Sequence, residues 1–259
     1  EFRRVLFRSG GGFRRFYAGH PAAVMETLAL ADCVVALSQE WKEFFIKELK
    51  CREVRIINNV VSPPREQQGN RAQNACECFH LTFLGKITKE KGIYDLLDII
   101  EEHKDRYLGK LKLTVGGNGE VGRFCKIVED RGLGGIVEYA GWISGKEKAR
   151  LLQETDTYIL PSYYEGVPIS ILEAMSYRKP VISTVIGGIP AIVTDGESGI
   201  LTAPGDKKSI AAAIDTLLEN PTLRNMMGEK AYDKVKEFFP AEVDHSLSSL
   251  YNSLLENGQ

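Results

Sequence analysis

The sequence predicts a doubly wound α/β fold, a parallel sheet with helices on both faces, on three observations. Short β-rich runs alternate with helical patterns from residue 80 onward. Strands separated by single helices cannot pair as hairpins; they join through right-handed crossovers into a parallel sheet. The loops after the proposed strands are rich in glycine and charge, as suits a fold whose ligands lie at the carboxyl ends of its strands.

Residues 1–12 (EFRRVLFRSGGG) lack a starting methionine and an apolar core of signal-peptide length, and they end in a glycine run. They read as an adaptor-derived or disordered segment and are set outside the fold. Residues 13–60 read as a smaller α/β unit: helix 22–30, strand 32–37, helix 40–49 and strand 54–58. That is the edge of a second α/β layer and too little for an independent domain. Residues 61–79 are nearly devoid of apolar side chains between Val61 and Cys78 and read as a linker. Residues 80–222 form the main domain, with strands at 81–85, 112–116, 136–141, 157–161, 180–185 and 199–202. Its helices show burial stripes at Ile93, Leu96, Leu97 and Ile100, at Phe124, Ile127 and Val128, and at Ile210, Ile214, Leu217 and Leu218. Residues 223–259 read as two helices broken near Pro240.

At 259 residues the chain can bury one large core or two smaller ones, and 43% apolar with 26% charged residues is a soluble globular composition. No apolar run approaches the ~18 residues that span a bilayer, so no membrane anchor is expected within it. A formal charge of −2 gives no global reason to expect nucleic acid. The five cysteines, at 33, 51, 76, 78 and 125, are odd in number, form no disulfide framework and fit a reducing cytoplasm. Cys76 and Cys78 lack a second ligand pair at zinc spacing. His20, His80, His103 and His245 show neither triad nor ligand spacing.

Function concentrates in residues 161–175, PSYYEGVPISILEAM. Glu165 and Glu173 stand eight positions apart across a turn that opens a helix. Pro168 suits the first helical position, lacking the N–H that would be orphaned there. Ile169, Leu172 and Met175 give that helix a face for burial. Its free N–H groups and positive dipole end suit a phosphate, and the two carboxylates could grip hydroxyl groups on either side. The combination reads as a site for a sugar joined to a diphosphate. Three more loops agree. Lys86 and Lys91 flank the loop at 85–92, where two cations could neutralise a diphosphate. GGNG at 116–119 lets the backbone turn sharply and approach a ligand. GWIS at 141–144 could offer backbone groups to a base edge.

Residues 83–206 resemble the nucleotide-sugar-binding half of a retaining glycosyltransferase of family 4, which has the GT-B fold. The matching pieces are FLGKxxxEKG at 83–92, GGNG at 116–119, PSxxEGVPxxxLEAM at 161–175, KPVIST at 179–184, GGIP at 187–190 and DGESGIL at 195–201. Weaker likeness to the end of the family's first domain reaches back to residue 20. By this resemblance Lys86 and Lys91 bind the donor diphosphate, and Glu165 is catalytic, facing the donor sugar and its reacting carbon. Gly166, Val167 and Ile169 offer backbone N–H groups beside Pro168, which has none. Glu173 accepts from the ribose hydroxyls, and Ile143 presents its backbone to the base. Gly85, Gly117 and Asn118 join the substrate contacts with their loops.

The resemblance implies transfer of a sugar from a UDP-, GDP- or ADP-sugar to a hydroxyl acceptor, a glycan or lipid-linked glycan, in polysaccharide or glycolipid synthesis. It implies a cytoplasmic protein at the inner membrane face, with peripheral attachment through a first domain lying mostly outside this sequence, and a fragment that binds donor but is inactive alone. No metal or other cofactor is expected, and the sequence has no Asp-x-Asp for a metal at the diphosphate. Ala191 replaces the family's usual glutamate, Ser198 its asparagine, and Asn58-Asn-Val-Val61 its Asn-Gly-Val-Asp. A sugar-nucleotide epimerase of related fold would also bind UDP, but the glutamate spacing and lysine pair favour transfer. A catalytically silent nucleotide-sugar-binding module is the other alternative.

Overall fold

Two parallel sheets organise the chain in the computed structural model, which describes residues 5–7, 13–64 and 78–256. The first has three strands in the order β1 (Val5–Phe7), β2 (Cys33–Ala36), β3 (Val54–Ile56). One expectation fails here: residues 1–12 are not wholly outside the fold, because Val5–Phe7 pair in parallel with Cys33–Val35. Cys33-Val-Val-Ala is buried throughout, the run of a strand covered on both faces. The Gln39–Lys47 helix packs nearby, with Ser38 accepting from the Trp41 N–H at its N-cap. Its Trp41, Phe44 and Phe45 rings gather around Phe13 from the Phe13–Gly19 helix, which periodicity did not reveal.

The second sheet is all parallel, in the order β6 (Val137–Tyr139), β5 (Leu111–Gly116), β4 (Phe79–Leu84), β7 (Thr157–Leu160), β8 (Val181–Thr184), β9 (Gly199–Thr202). Leu81, Phe83, Leu113, Val115, Tyr158, Ile159, Val181 and Ile182 are fully buried in its core. The chain runs outward from β4 to β5 and β6, then crosses back to β7 on the other flank of β4. Strand order therefore reverses between β4 and β7, and in such sheets a crevice opens there at the carboxyl ends.

The stretch at 61–79 belongs partly to the fold. Val61 is buried and donates to the Phe238 carbonyl at 2.9 Å, and β4 already begins at Phe79. Residues 65–77, Cys76 included, lie outside the described residues. The tail forms the Pro221–Val235 and Pro240–Glu256 helices, broken before Pro240. Val243 and Leu250 of the last helix pack against Cys33 and Val35 of the first sheet and Ile57 just beyond it. Among the described residues, no helix is long and apolar enough to cross a membrane.

Candidate functional site

A cleft of about 380 Å³ opens at the reversal point between β4 and β7. Leu84, Gly85, Lys86 and Lys91 wall it from the β4 side, and Leu160 and residues 165–170 from the β7 side. Leu37 and Asn59 of the smaller unit reach the same cleft. Hydroxyls pin the strand ends around it: Tyr158 donates to the Leu84 carbonyl at 2.8 Å, Ser183 to that of Leu160 at 2.7 Å and Thr184 to that of Ser162 at 2.6 Å. Burial pushes the Tyr158 phenol far above its ordinary range, so it stays a neutral donor.

Glu165 occupies the wall nearest the helix start. Its Oε1 accepts from Lys91 Nζ at 2.5 Å and from Ser162 Oγ at 2.8 Å, and its side chain is only 8% exposed. The carboxylate is thereby held from two sides. Its backbone is held as well: Gly187 adopts φ +52, and a Cβ there would come within 2.0 Å of the Glu165 carbonyl oxygen. Gly188 donates to the Gly166 carbonyl at 2.7 Å, so GGIP acts as a buttress behind the glutamate turn. Asn59 Nδ2 donates to the Val167 carbonyl at 3.1 Å, tying the smaller unit to this turn.

The helix after the turn is Ile169–Ser176. Pro168 is its N-cap and not its first helical residue: at ψ 116 it is extended, and its carbonyl accepts from the Ile171 N–H at 3.2 Å. No side chain caps this end, so the first N–H groups face the cleft without an intrahelical partner.

Glu173, one turn further on, accepts from Lys148 Nζ at 2.5 Å. The GGNG loop is zipped to the 85–92 loop, with Gly85 donating to the Gly116 carbonyl at 3.0 Å and Ile87 to that of Asn118 at 2.6 Å. Gly117 fits because a Cβ there would fall 1.8 Å from the Gly85 oxygen, at φ +150. Its N–H donates to the Gly141 carbonyl at 2.8 Å, and its own carbonyl accepts from Tyr139 at 2.9 Å. Ile143 packs beside Gly116.

Of the residues singled out in the sequence, Gly85, Lys86, Lys91, Glu165, Gly166, Val167, Pro168 and Ile169 line one cleft. Gly117, Asn118, Ile143 and Glu173 do not line it. The two lysines part company: Lys86 is exposed, whereas Lys91 is engaged by Glu165. Sequence reasoning did not find Leu37, Asn59, Ser162, Ser170 or Lys148. Ser162 and Ser170 lie inside the motif and could have been read from it. Among the described residues, no group of three or more His, Cys, Asp or Glu side chains converges as metal ligands.

Residues 69–234, well over half of the chain, match the family model described as glycosyl transferases group 1. The chain belongs to that family. As a group 1 glycosyltransferase it is 25% identical over 238 residues to a glycogen synthase of Mycobacterium tuberculosis, covering 89% of this chain and 55% of that protein. It is 26% identical over 194 residues to the lipopolysaccharide core biosynthesis glycosyltransferase LpsE of Rhizobium meliloti, covering 74% and 55%. Anabaena Alr3699/HepE, solved in complex with UDP, superposes with a TM-score of 0.84 at 20% identity, covering 97% of this chain and 72% of that one. The fold is thus of the GT-B type. The chain spans about half the length of the curated relatives it matches.

Proposed function

We propose that this group 1 glycosyltransferase chain carries the donor half of an enzyme that moves a sugar from a nucleoside diphosphate sugar to a hydroxyl acceptor with retention of configuration. One observation carries the reading: a nearly buried Glu165, fixed by Lys91 and Ser162, beside an uncapped helix N-terminus in the cleft where strand order reverses. An anion is favoured at such a helix end, and Lys86 adds an exposed cation at the same wall. The diphosphate would lie across Lys86 and the N–H groups of Ile169 and Ser170, with the sugar turned towards Glu165. Glu173 would take the ribose hydroxyls, and the base would lie towards Ile143. As the glycosidic bond breaks, charge grows on the leaving diphosphate. Fixed donors aimed at that charge stabilise the transition state without reorganising, so this reading asks for no metal.

The names of the glycogen synthase and LpsE relatives support a glycan or lipid-linked glycan acceptor and a role in polysaccharide or glycolipid synthesis. The UDP complex of HepE supports a nucleotide at the donor cleft. A cytoplasmic location, peripheral to the membrane, fits a donor of this kind.

Calorimetry and thermal shift with UDP, GDP, ADP and their sugars test the reading. A ligand at 100 times its dissociation constant adds about 2.7 kcal/mol of stability. Glu173→Ala should weaken the best nucleotide roughly ten- to a hundredfold, by loss of charged hydrogen bonds. Glu165→Ala in the complete enzyme should abolish transfer and largely keep nucleotide binding. Wild-type turnover in Glu165→Ala would refute its assigned role.

A further inference from the structure

The Lys148–Glu173 pair spans elements that are distant in the sheet. Lys148 lies in the first turn of the Gly145–Glu154 helix, which follows β6, and Glu173 lies on the helix that follows β7. Strands β5 and β4 stand between β6 and β7. The pair therefore links the loop at 141–144 to the helix that borders the donor cleft. Both side chains remain partly open, at 29% and 24% exposure, and an open ion pair of this kind adds little to stability. What it does fix is direction. Lys148 holds Oε1 at 2.5 Å, and among the described residues no side-chain or backbone donor reaches Oε2.

We infer that Lys148 is a positioning residue that makes the site selective for ribose. It keeps Glu173 turned so that its second oxygen accepts from the vicinal hydroxyls of a ribonucleoside diphosphate. This rests on the donor reading proposed above. Without Lys148 the carboxylate is free to change rotamer, and the ribose contact loosens while the diphosphate contacts stay.

The test is calorimetry of the chain with UDP, GDP and ADP and with their 2′,3′-dideoxy counterparts, on wild type, Lys148→Met, Lys148→Arg and Glu173→Gln. Lys148→Met should weaken the preferred ribonucleotide about tenfold, the scale of one loosened charged hydrogen bond. It should weaken the dideoxy form less than about twofold, and Lys148→Arg should restore most of the loss. Glu173→Gln should erase the preference for ribose in the same way, giving coupling between residue and hydroxyl in a double-mutant cycle. Equal weakening of ribo and dideoxy forms would overturn the inference, since Lys148 would then act only as a cation for phosphate. No change in either form would overturn it too. If the folded wild-type chain bound none of the three nucleotides, the donor reading itself would fall; that outcome differs from binding that ignores Lys148.

Discussion

Removing Lys91 tests how the cleft manages its most buried charge. Lys91 Nζ is 2.5 Å from Glu165 Oε1, with side chains 27% and 8% exposed. Lys91→Met keeps most of the aliphatic stem and deletes the cation, leaving the carboxylate with the Ser162 hydroxyl as its remaining partner among the described residues. Stripping one partner from a fully buried pair costs about 3–5 kcal/mol. Water reaches the lysine end here, so the cost should fall to about 2 kcal/mol, within the range of a charged hydrogen bond. For a protein of this size that is a drop in Tm of about 4–8 °C.

The measurement is urea unfolding of wild type, Lys91→Met, Glu165→Gln and the double variant at neutral pH. Glu165→Gln should cost less than Lys91→Met, because the ammonium it leaves behind is the more hydrated partner. The double variant should recover much of the loss, giving a coupling of about 1.5–2 kcal/mol. Additivity within about 0.5 kcal/mol would refute the argument: Lys91 would then be an ordinary surface lysine, and Glu165 would be held by Ser162 alone.

Two further outcomes follow from local geometry. Gly187→Ala would push a methyl within 2.0 Å of the Glu165 carbonyl, so the glutamate turn must move; on the proposed role of Glu165, a displacement of about 1 Å there costs on the order of a hundredfold in turnover of the complete enzyme. Unchanged turnover with an unchanged melting temperature would show that GGIP does not buttress Glu165. The second outcome is acid sensitivity. Burial raises the Asp98 carboxyl, but hydrogen bonds from Lys207 and Arg131 outweigh it and hold it below its ordinary value. A depressed folded value gives stability that is present above the unfolded value, about 3.9, and is lost as pH falls through the folded one. Wild type should therefore lose urea midpoint more steeply below about pH 4 than Lys207→Met does, and parallel profiles would refute it.

The main sheet was legible because its central strands are largely buried and rich in apolar and β-branched residues. Residues 157–160 and 181–184 are covered throughout, and the sequence placed both within a residue or two. The edge strand was less legible. Residues 136–141 were expected, but β6 ends at Tyr139. Gly141 bends away at φ +79, and its carbonyl accepts from Gly117 outside the ladder. Strand β1 was illegible for a different reason. Val5-Leu-Phe7 lies between arginines in RRVLFR, and three apolar residues carry no period. Its strand character comes from pairing with β2, a partner almost thirty residues away.

At the site, what the sequence could show lay inside single motifs, and what it could not show lay between them. Glu165 and the helix start belong to one fifteen-residue run, so their proximity was fixed by local geometry. Asn59 and Lys148 reach the same region from other elements, and no spacing within the chain announces that. The lysine pair shows the limit most plainly. Lys86 and Lys91 share one loop and were both read as contacts for a diphosphate. Between them the Lys89–Lys91 turn redirects the chain, and Lys91 meets Glu165 while Lys86 stays exposed. An anion in this cleft meets Lys86 in the open, whereas Lys91 is already engaged by Glu165. The contact between Lys91 and Glu165 joins two motifs 74 residues apart, and charge composition alone carries no trace of it.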